Sequence, residues 1–162
     1  MEGPKQKLGR GDFSWVGRVT PNRLFFTVGL VLDILEDEYC KVFSFIVILC
    51  PTIQWNKAYK NRDWIGDVRK PKNKNIIIVN PIVKEEEKLQ ELLIVFFNKY
   101  AGQPTLYIID DCSGTKELTQ KRDMLSQLAF SGRHAEQSVW VISQRYNSVL
   151  KDLREQRKWL CM

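Results

Sequence analysis

Hydrophobic runs of strand length recur along this chain, and amphipathic stretches separate them. Runs rich in β-branched and aromatic residues predict buried strands at residues 13–19, 43–50, 75–80, 106–109 and 138–143. A last run, residues 159–162, has the pattern of a strand that is beginning.

Between these runs, apolar residues recur at spacings of three and four, which predicts helices at residues 27–39, 84–100 and 116–130. Asn147 or Ser148 would cap a further helix. The buried face of the first helix is expected to consist of Leu30, Val31, Ile34 and Leu35. Gly132 is expected to end the third helix in a left-handed cap. Alternating strands and helices predict an α/β fold, with a parallel sheet covered by helices on both faces and joined by right-handed crossovers.

Composition indicates one domain, because 162 residues with 44% apolar content suffice for a single core. We expect a basic, flexible tail at residues 1–12 and a single domain at 13–162, incomplete in its last strand. No run approaches the roughly 18 apolar residues of a membrane span, and no signal sequence is evident. The protein is therefore expected to be intracellular, without a membrane partner. Its four cysteines lack metal-ligand spacing and are expected to be reduced.

The net charge is +6, and the positive charge lies in two segments, residues 1–24 and the connection between residues 52 and 75. The cations of this connection are Lys57, Lys60, Arg62, Arg69, Lys70, Lys72 and Lys74. Trp55, Tyr59 and Trp64 are interleaved with them, a pattern that suits a nucleic-acid backbone with stacked bases. The alternative is a solvated loop whose aromatic residues anchor it to the domain.

Two adjacent carboxylates, Asp110 and Asp111, directly follow the apolar run at residues 106–109. Parallel sheets place catalytic and metal-binding groups beyond the carboxyl ends of their strands. Asp110 is therefore predicted to hold Mg²⁺, and Asp111 to orient or deprotonate an attacking water. The alternative is a buried strand that runs out into a solvated acidic turn.

Gln144 follows the next predicted strand and is expected at the same edge of the sheet, where a carboxamide can position water or contact phosphate. Arg133 lies between the two strands and could stabilise charge on a transferred phosphoryl group, in its own subunit or in a neighbour. Alternatively, Arg133 and His134 only complement the carbonyl end of the preceding helix.

These features together resemble the poxvirus-type genome-packaging ATPases, a branch of the FtsK/HerA superfamily of P-loop NTPases that large DNA viruses and self-synthesising DNA transposons carry. The resemblance rests on FIVILCPTIQWNKAYKNRDWIGDV, YIIDDC, SGRHAEQSVWVISQ and SVLKDLREQRKW, and covers roughly residues 27–162. It implies a RecA/ASCE-type sheet, Mg²⁺ and ATP as cofactors, double-stranded DNA as partner and a homo-oligomeric ring. By position, Asp110 is the Walker B metal ligand, Asp111 the catalytic acid, Gln144 the sensor and Arg133 the candidate arginine finger.

The phosphate-binding loop departs from that family. A P-loop requires G-x-x-x-x-G-K-[ST], whose glycines admit the phosphates and whose lysine neutralises them. In TPNRLFFT, residues 20–27, Thr27 occupies the position of the metal-binding hydroxyl. Thr20, Phe25 and Phe26 replace the two glycines and the lysine. We therefore expect ATP binding to be weak or absent.

Three functional hypotheses follow. The first is a packaging-ATPase-like domain whose ancestral hydrolysis of ATP, coupled to translocation of double-stranded DNA, is impaired here. The second is a non-catalytic remnant that binds nucleic acid or assembles with intact homologues. The third is an unrelated α/β domain whose acids bind another phosphorylated ligand.

Overall fold

The computed structural model describes residues 13–16, 24–39, 41–112, 123–143 and 160–161, and the side chains of 28–37, 41–112, 124–128 and 131–143. The elements in chain order are β1 (Phe13–Val16), α1 (Leu24–Ile34), β2 (Phe45–Leu49), β3 (Gly66–Asp67), β4 (Lys70–Pro71), β5 (Ile76–Val79), β6 (Ile82–Val83), β7 (Glu86–Glu87), α2 (Leu89–Tyr100), β8 (Thr105–Asp110), α3 (Asp123–Ser131), β9 (Gln137–Ile142) and β10 (Leu160–Cys161). A π-helical turn, Leu35–Tyr39, extends α1, and 3₁₀ turns lie at Lys57–Tyr59 and Gly132–Ala135.

Six strands form one parallel sheet in the order β10-β1-β9-β8-β2-β5. The predicted α/β fold class is therefore confirmed. Two antiparallel hairpins, β3-β4 and β6-β7, lie outside this sheet. The predicted strand positions are confirmed as far as the structure describes them, including the start of a last strand, β10, beside β1.

Alternate residues of the central strands supply two hydrophobic cores, one on each face of the sheet. One core joins Val47, Tyr107 and Val139 to α2 and α3. The other joins Ile48, Ile108 and Trp140 to α1 and to the connection after β2. Because both faces are covered, the residues of β8 and β9 are all buried.

The first helix differs from the prediction in its start and in its buried face. It begins at Leu24 rather than at residue 27. Leu30 is 46% exposed, so its predicted burial is wrong, whereas Leu32 is fully buried. The buried stripe consists of Val28, Val31, Leu32 and Leu35, which follows the i, i+3, i+4, i+7 spacing of a helix face.

The second helix begins at Leu89, so the prediction of helix from residue 84 is wrong over its first five residues. Lys84 and Glu85 have φ values of 50° and 66°, and they form the two-residue turn of the β6-β7 hairpin. The rest of the predicted helix is confirmed, and its residues Leu89, Leu93 and Phe96 are buried.

Gly132 follows α3, but its predicted left-handed cap is wrong, because its φ is not positive and a 3₁₀ turn continues the chain. The left-handed residue is Glu136, with φ 57°. Gly132 is instead a point of close approach, since a Cβ there would lie 2.7 Å from the carbonyl oxygen of Gln137.

None of the helices in the described ranges has the length and apolar character needed to cross a membrane. Cys50 and Cys112 are both buried and are not joined in a disulfide, and the reduced state of the cysteines stays a prediction. The structure does not describe Cys40 or the helix predicted after residue 147, and it does not describe the side chain of Cys161.

Candidate functional site

The acid pair ends β8, which lies between β9 and β2 in the sheet. Asp110 is the last residue of the strand, pairs in register with Ile142 and is only 3% exposed. Asp111 is half-buried and has a φ of 55°, an uncommon conformation that short polar residues tolerate best. Asp110 is therefore a buried carboxyl group of the sheet and not part of a solvated acidic turn.

Three side chains from the connection after β2 donate to the same oxygen of Asp110. The hydroxyl of Tyr59 lies 2.8 Å from Oδ2, the amide Nδ2 of Asn56 lies 3.4 Å from it, and the thiol of Cys50 lies 3.9 Å from it. Hydrogen bonds to an ionised carboxylate are among the stronger ones in proteins. The connection after β2 therefore determines how Asp110 is oriented.

Burial raises the pKa of Asp110 to about 6, and the hydrogen bond from Tyr59 opposes part of that rise. Burial, with the neighbouring Asp110 charge, raises the pKa of the Cys50 thiol to about 12 and that of the Tyr59 phenol well above its usual value. Cys50 and Tyr59 therefore stay protonated near neutral pH and act as donors to Asp110.

Asp111 has its own partner in the same connection. The hydroxyl of Thr52 donates to Asp111 Oδ2 at 2.7 Å. Thr52 follows β2, which pairs with β8, so the ends of the two neighbouring strands supply both members of this contact. This hydrogen bond fixes Asp111 in a conformation that most residues avoid.

Cys50, Thr52 and Asn56 were not predicted as site residues, and Tyr59 was predicted in a different role. Cys50 and Thr52 had a usable signal, because they directly follow a buried strand and parallel strands end at one edge. Asn56 and Tyr59 had no such signal in the sequence. A 3₁₀ turn that the hydrophobic pattern does not predict places Tyr59 beside the acid pair.

The donor set of the acid pair fits a hard divalent cation. Asp110 and Asp111 offer carboxylate oxygens, and Thr52 adds a hydroxyl beside them. Within the described ranges no cluster of three or more His, Cys, Asp or Glu residues could hold a metal. Two carboxylates are nevertheless what Mg²⁺ commonly uses when phosphate and water complete its shell.

Two further predicted site residues are described only in part or not at all. Thr27 lies in the first turn of α1. Gln144 lies outside the described residues, although β9 ends at Ile142, which pairs with Asp110. The predicted roles of Thr27 and Gln144 remain predictions.

Arg133 lies at the amino ends of the parallel strands, whereas the acid pair lies at their carboxyl ends. It belongs to the 3₁₀ turn that precedes β9, and it is exposed. The strand between that turn and Ile142 advances about 3.3 Å per residue, so its two ends are about 17 Å apart. An arginine side chain cannot span this separation, so a role of Arg133 at the acid pair of its own subunit is wrong.

The basic segment contains six exposed cations and one that is internally paired. The exposed cations are Lys57, Lys60, Arg69, Lys70, Lys72 and Lys74. The guanidinium of Arg62 instead forms ion pairs with Asp33 at 2.8 Å and with Glu36 at 3.3 Å. Arg62 is therefore engaged in ion pairs within the domain, and its role as a nucleic-acid contact stays a prediction.

The aromatic residues of the same segment also differ in exposure. Trp55 is 75% exposed, as a base-stacking residue would be, whereas Tyr59 is fully buried. Trp64 packs against the core on the α1 face. Anchoring to the domain therefore explains Tyr59 and Trp64, and stacking remains open only for Trp55.

Comparison with solved structures identifies the fold. The genome packaging NTPase B204 of Sulfolobus turreted icosahedral virus 2, in complex with sulfate, aligns with 92% of this chain and 72% of its own at a TM-score of 0.59 and 17% identity. Its complex with ATP-gammaS aligns with 94% of this chain and 74% of its own, with a TM-score of 0.54 and 17% identity.

The chain has the fold of a viral genome-packaging NTPase. The DNA-packaging ATPase B204 of Sulfolobus turreted icosahedral virus gives the same result, with a TM-score of 0.57, 13% identity and coverage of 94% of this chain and 75% of its own. No family model and no curated protein matches the chain. The predicted resemblance is confirmed at the level of structure.

Proposed function

We propose that this chain is a divergent genome-packaging ATPase domain that retains its metal-binding and catalytic carboxylates, Asp110 and Asp111, and has a defective phosphate-binding loop. The observation that carries the proposal is the burial of Asp110 at the carboxyl edge of β8, with three side chains donating to one of its oxygens. A buried carboxyl group maintained in this way is typical of a functional site. The fold shared with the viral packaging NTPases supports the same proposal.

Each site residue has a role in this proposal. Asp110 would hold Mg²⁺ with Thr27, and Asp111, fixed by Thr52, would orient the attacking water. Bound Mg²⁺ with ATP would supply an electrophilic phosphoryl group with its charge partly neutralised. Gln144 would contact that water or the phosphate. Arg133, at the opposite edge, would serve the nucleotide of a neighbouring subunit in a ring that moves double-stranded DNA.

The defect lies in residues 20–27, TPNRLFFT. Phe25 and Phe26 stand where the family has Gly and Lys, and both continue into the first turn of α1. Two phenyl groups add apolar bulk where a triphosphate needs close backbone approach and a cation. ATP binding is therefore expected to be weak or absent.

Calorimetric titration of ATP into the full chain, with and without Mg²⁺, tests this proposal. The unchanged protein is expected to show no micromolar binding. A variant with Thr20→Gly, Phe25→Gly and Phe26→Lys restores the loop and is expected to gain Mg²⁺-dependent ATP binding. Asp110→Asn in that background should remove the Mg²⁺ dependence. Micromolar ATP binding by the unchanged chain would contradict the defective loop, and failure of a folded restored variant would contradict the packaging-ATPase proposal.

A second candidate function is nucleic-acid binding without catalysis, through the basic segment. The exposure of six cations and of Trp55 favours it. Each phosphate contact contributes about 0.9 to the salt dependence of binding to double-stranded DNA. Replacing Lys70, Lys72 and Lys74 by Ala should therefore lower the slope of log K against log[salt] by up to about 3.

Lys41, Lys84 and Lys99 provide a control of equal charge, because they are exposed and lie outside the basic segment. Their replacement by Ala should leave the slope nearly unchanged. Equal slopes for the two triple variants would assign DNA binding to net charge and not to this segment.

A further inference from the structure

The part of the connection that reaches Asp110 is its 3₁₀ turn, Lys57–Tyr59, together with the cap residue Asn56. The Asn56 amide faces both ways: its Oδ1 accepts from the backbone N–H of Ala58 at 3.0 Å, and its Nδ2 donates to Asp110 at 3.4 Å. Tyr59, at the end of the turn, places its hydroxyl 2.8 Å from the same carboxylate oxygen. The turn is thus connected to Asp110 at both of its ends.

Arg62 fixes this turn to α1. Its Nε donates to the carbonyl of Ala58 at 3.0 Å, and its Nη2 donates to the carbonyl of Gly29 at 3.3 Å. The ion pairs with Asp33 and Glu36 involve well-exposed carboxylates, so they add little. The two backbone contacts therefore anchor the turn to α1 through groups other than Asp110.

All three described side-chain donors occupy Oδ2 of Asp110, and none of them occupies Oδ1. These three contacts fix the orientation of the carboxylate, to which the backbone N–H of Asp111 also donates. Groups that hydrogen-bond to a metal ligand orient it and tune its affinity. From this geometry we infer that Tyr59 is a positioning residue for a divalent cation at Asp110, with Asn56 in the same role.

The inference rests on the proposed function, since it requires a cation at Asp110. It adds that the segment carrying the exposed lysines also builds the metal site: Lys57 lies within the 3₁₀ turn, and Lys60 follows Tyr59 directly. The segment that presents the basic surface and the segment that orients the acid are therefore the same piece of backbone.

Tyr107 provides a matched control. Its hydroxyl is also buried and donates to Gln137 Oε1 at 2.7 Å, but this contact lies in the core on the other face of the sheet. Tyr107→Phe and Tyr59→Phe each remove one hydroxyl and one buried hydrogen bond. A merely structural role of Tyr59 predicts the same behaviour for both variants.

The test is the binding of Mn²⁺ alone to the full chain, measured by the electron paramagnetic resonance signal of the free ion. The unchanged protein should bind Mn²⁺, and Asp110→Asn should abolish binding. Tyr59→Phe should weaken binding by about 10- to 100-fold, the usual effect of removing a group that supports a metal ligand. Tyr107→Phe should bind as the unchanged protein does.

Equal affinities of the two Tyr→Phe variants would overturn the inference and leave the metal site in place. Absence of Mn²⁺ binding by the unchanged chain would overturn both the inference and the proposed metal site. If Tyr59→Phe does not fold, as judged by circular dichroism, Asn56→Ala replaces it, because Asn56 is only half-buried. A folded Asn56→Ala with unchanged affinity would then overturn the inference.

Discussion

Replacing Asp110 by asparagine is expected to stabilise the folded protein at neutral pH, although it removes the central acid of the site. Asparagine has the shape of aspartate, and its carbonyl oxygen can still accept from Tyr59 and Asn56. The substitution removes only the negative charge. In the absence of a cation, that charge is buried at 3% exposure without a positive partner among the described side chains.

The magnitude follows from the pKa of Asp110, which burial raises from 3.8 to about 6 in the folded protein. Below pH 3.8 the carboxyl is protonated in both states. Between pH 3.8 and 6 it ionises in the unfolded chain first, so the folded state binds more protons and stability falls as pH rises. Above pH 6 the loss is complete, and two pKa units correspond to about 3 kcal/mol.

Urea unfolding at several pH values between 4 and 8, in the presence of a chelator, measures this effect. The free energy of unfolding of Asp110→Asn should exceed that of the unchanged protein by about 3 kcal/mol above pH 6. The difference should shrink towards pH 4. Asp63→Asn, a change at an exposed carboxylate, is the control and should show no such difference. A pH-independent difference, or a less stable Asp110→Asn at pH 8, would refute the reasoning.

Four further predictions concern packing and reactivity. Gly132→Ala should destabilise the fold by about 1–3 kcal/mol, since its Cβ would lie 2.7 Å from the Gln137 oxygen. Gly29→Ala, with nothing within 4 Å, should stabilise helix α1 by up to about 1 kcal/mol, and urea unfolding compares the two. Arg62→Met should lower unfolding free energy by about 1–3 kcal/mol, because two hydrogen bonds to backbone carbonyls are lost; a negligible change in urea unfolding would argue against this anchor. Burial raises the pKa of Cys50 to about 12, so iodoacetamide at pH 8 should modify it only after unfolding, and mass spectrometry of native samples detects any exception.

The hydrophobic pattern predicted the strands well, because burial on both faces leaves continuous apolar runs in β2, β8 and β9. It failed at the start of α2, where the charged residues before Leu89 fit a helix as well as a hairpin. The hairpin forms because Lys84 and Glu85 adopt the left-handed conformation of its turn. Neither residue type favours positive φ, so the sequence does not indicate this turn.

The candidate site was likewise predicted only in part from the sequence. Adjacent acids after an apolar strand indicated Asp110 and Asp111, since parallel strands bring their carboxyl ends to one edge. Burial of Asp110 and the contacts from Tyr59 and Thr52 depend on a 3₁₀ turn and on strand neighbours far apart in sequence. The separation of Arg133 from the acids also follows from topology, because a residue before a strand lies at the edge opposite to residues after it.

The sequence by itself determined the α/β class, the strands and the acid pair, because these depend on local periodicity and on the order of residues along one strand. Only the tertiary structure decided which cations are exposed, which tyrosine supports the acid and where Arg133 lies. The physical reason is that these properties are set by contacts between distant segments, such as Arg62 with Asp33, 29 residues apart, and Thr52 with Asp111, 59 residues apart. No local pattern encodes such contacts.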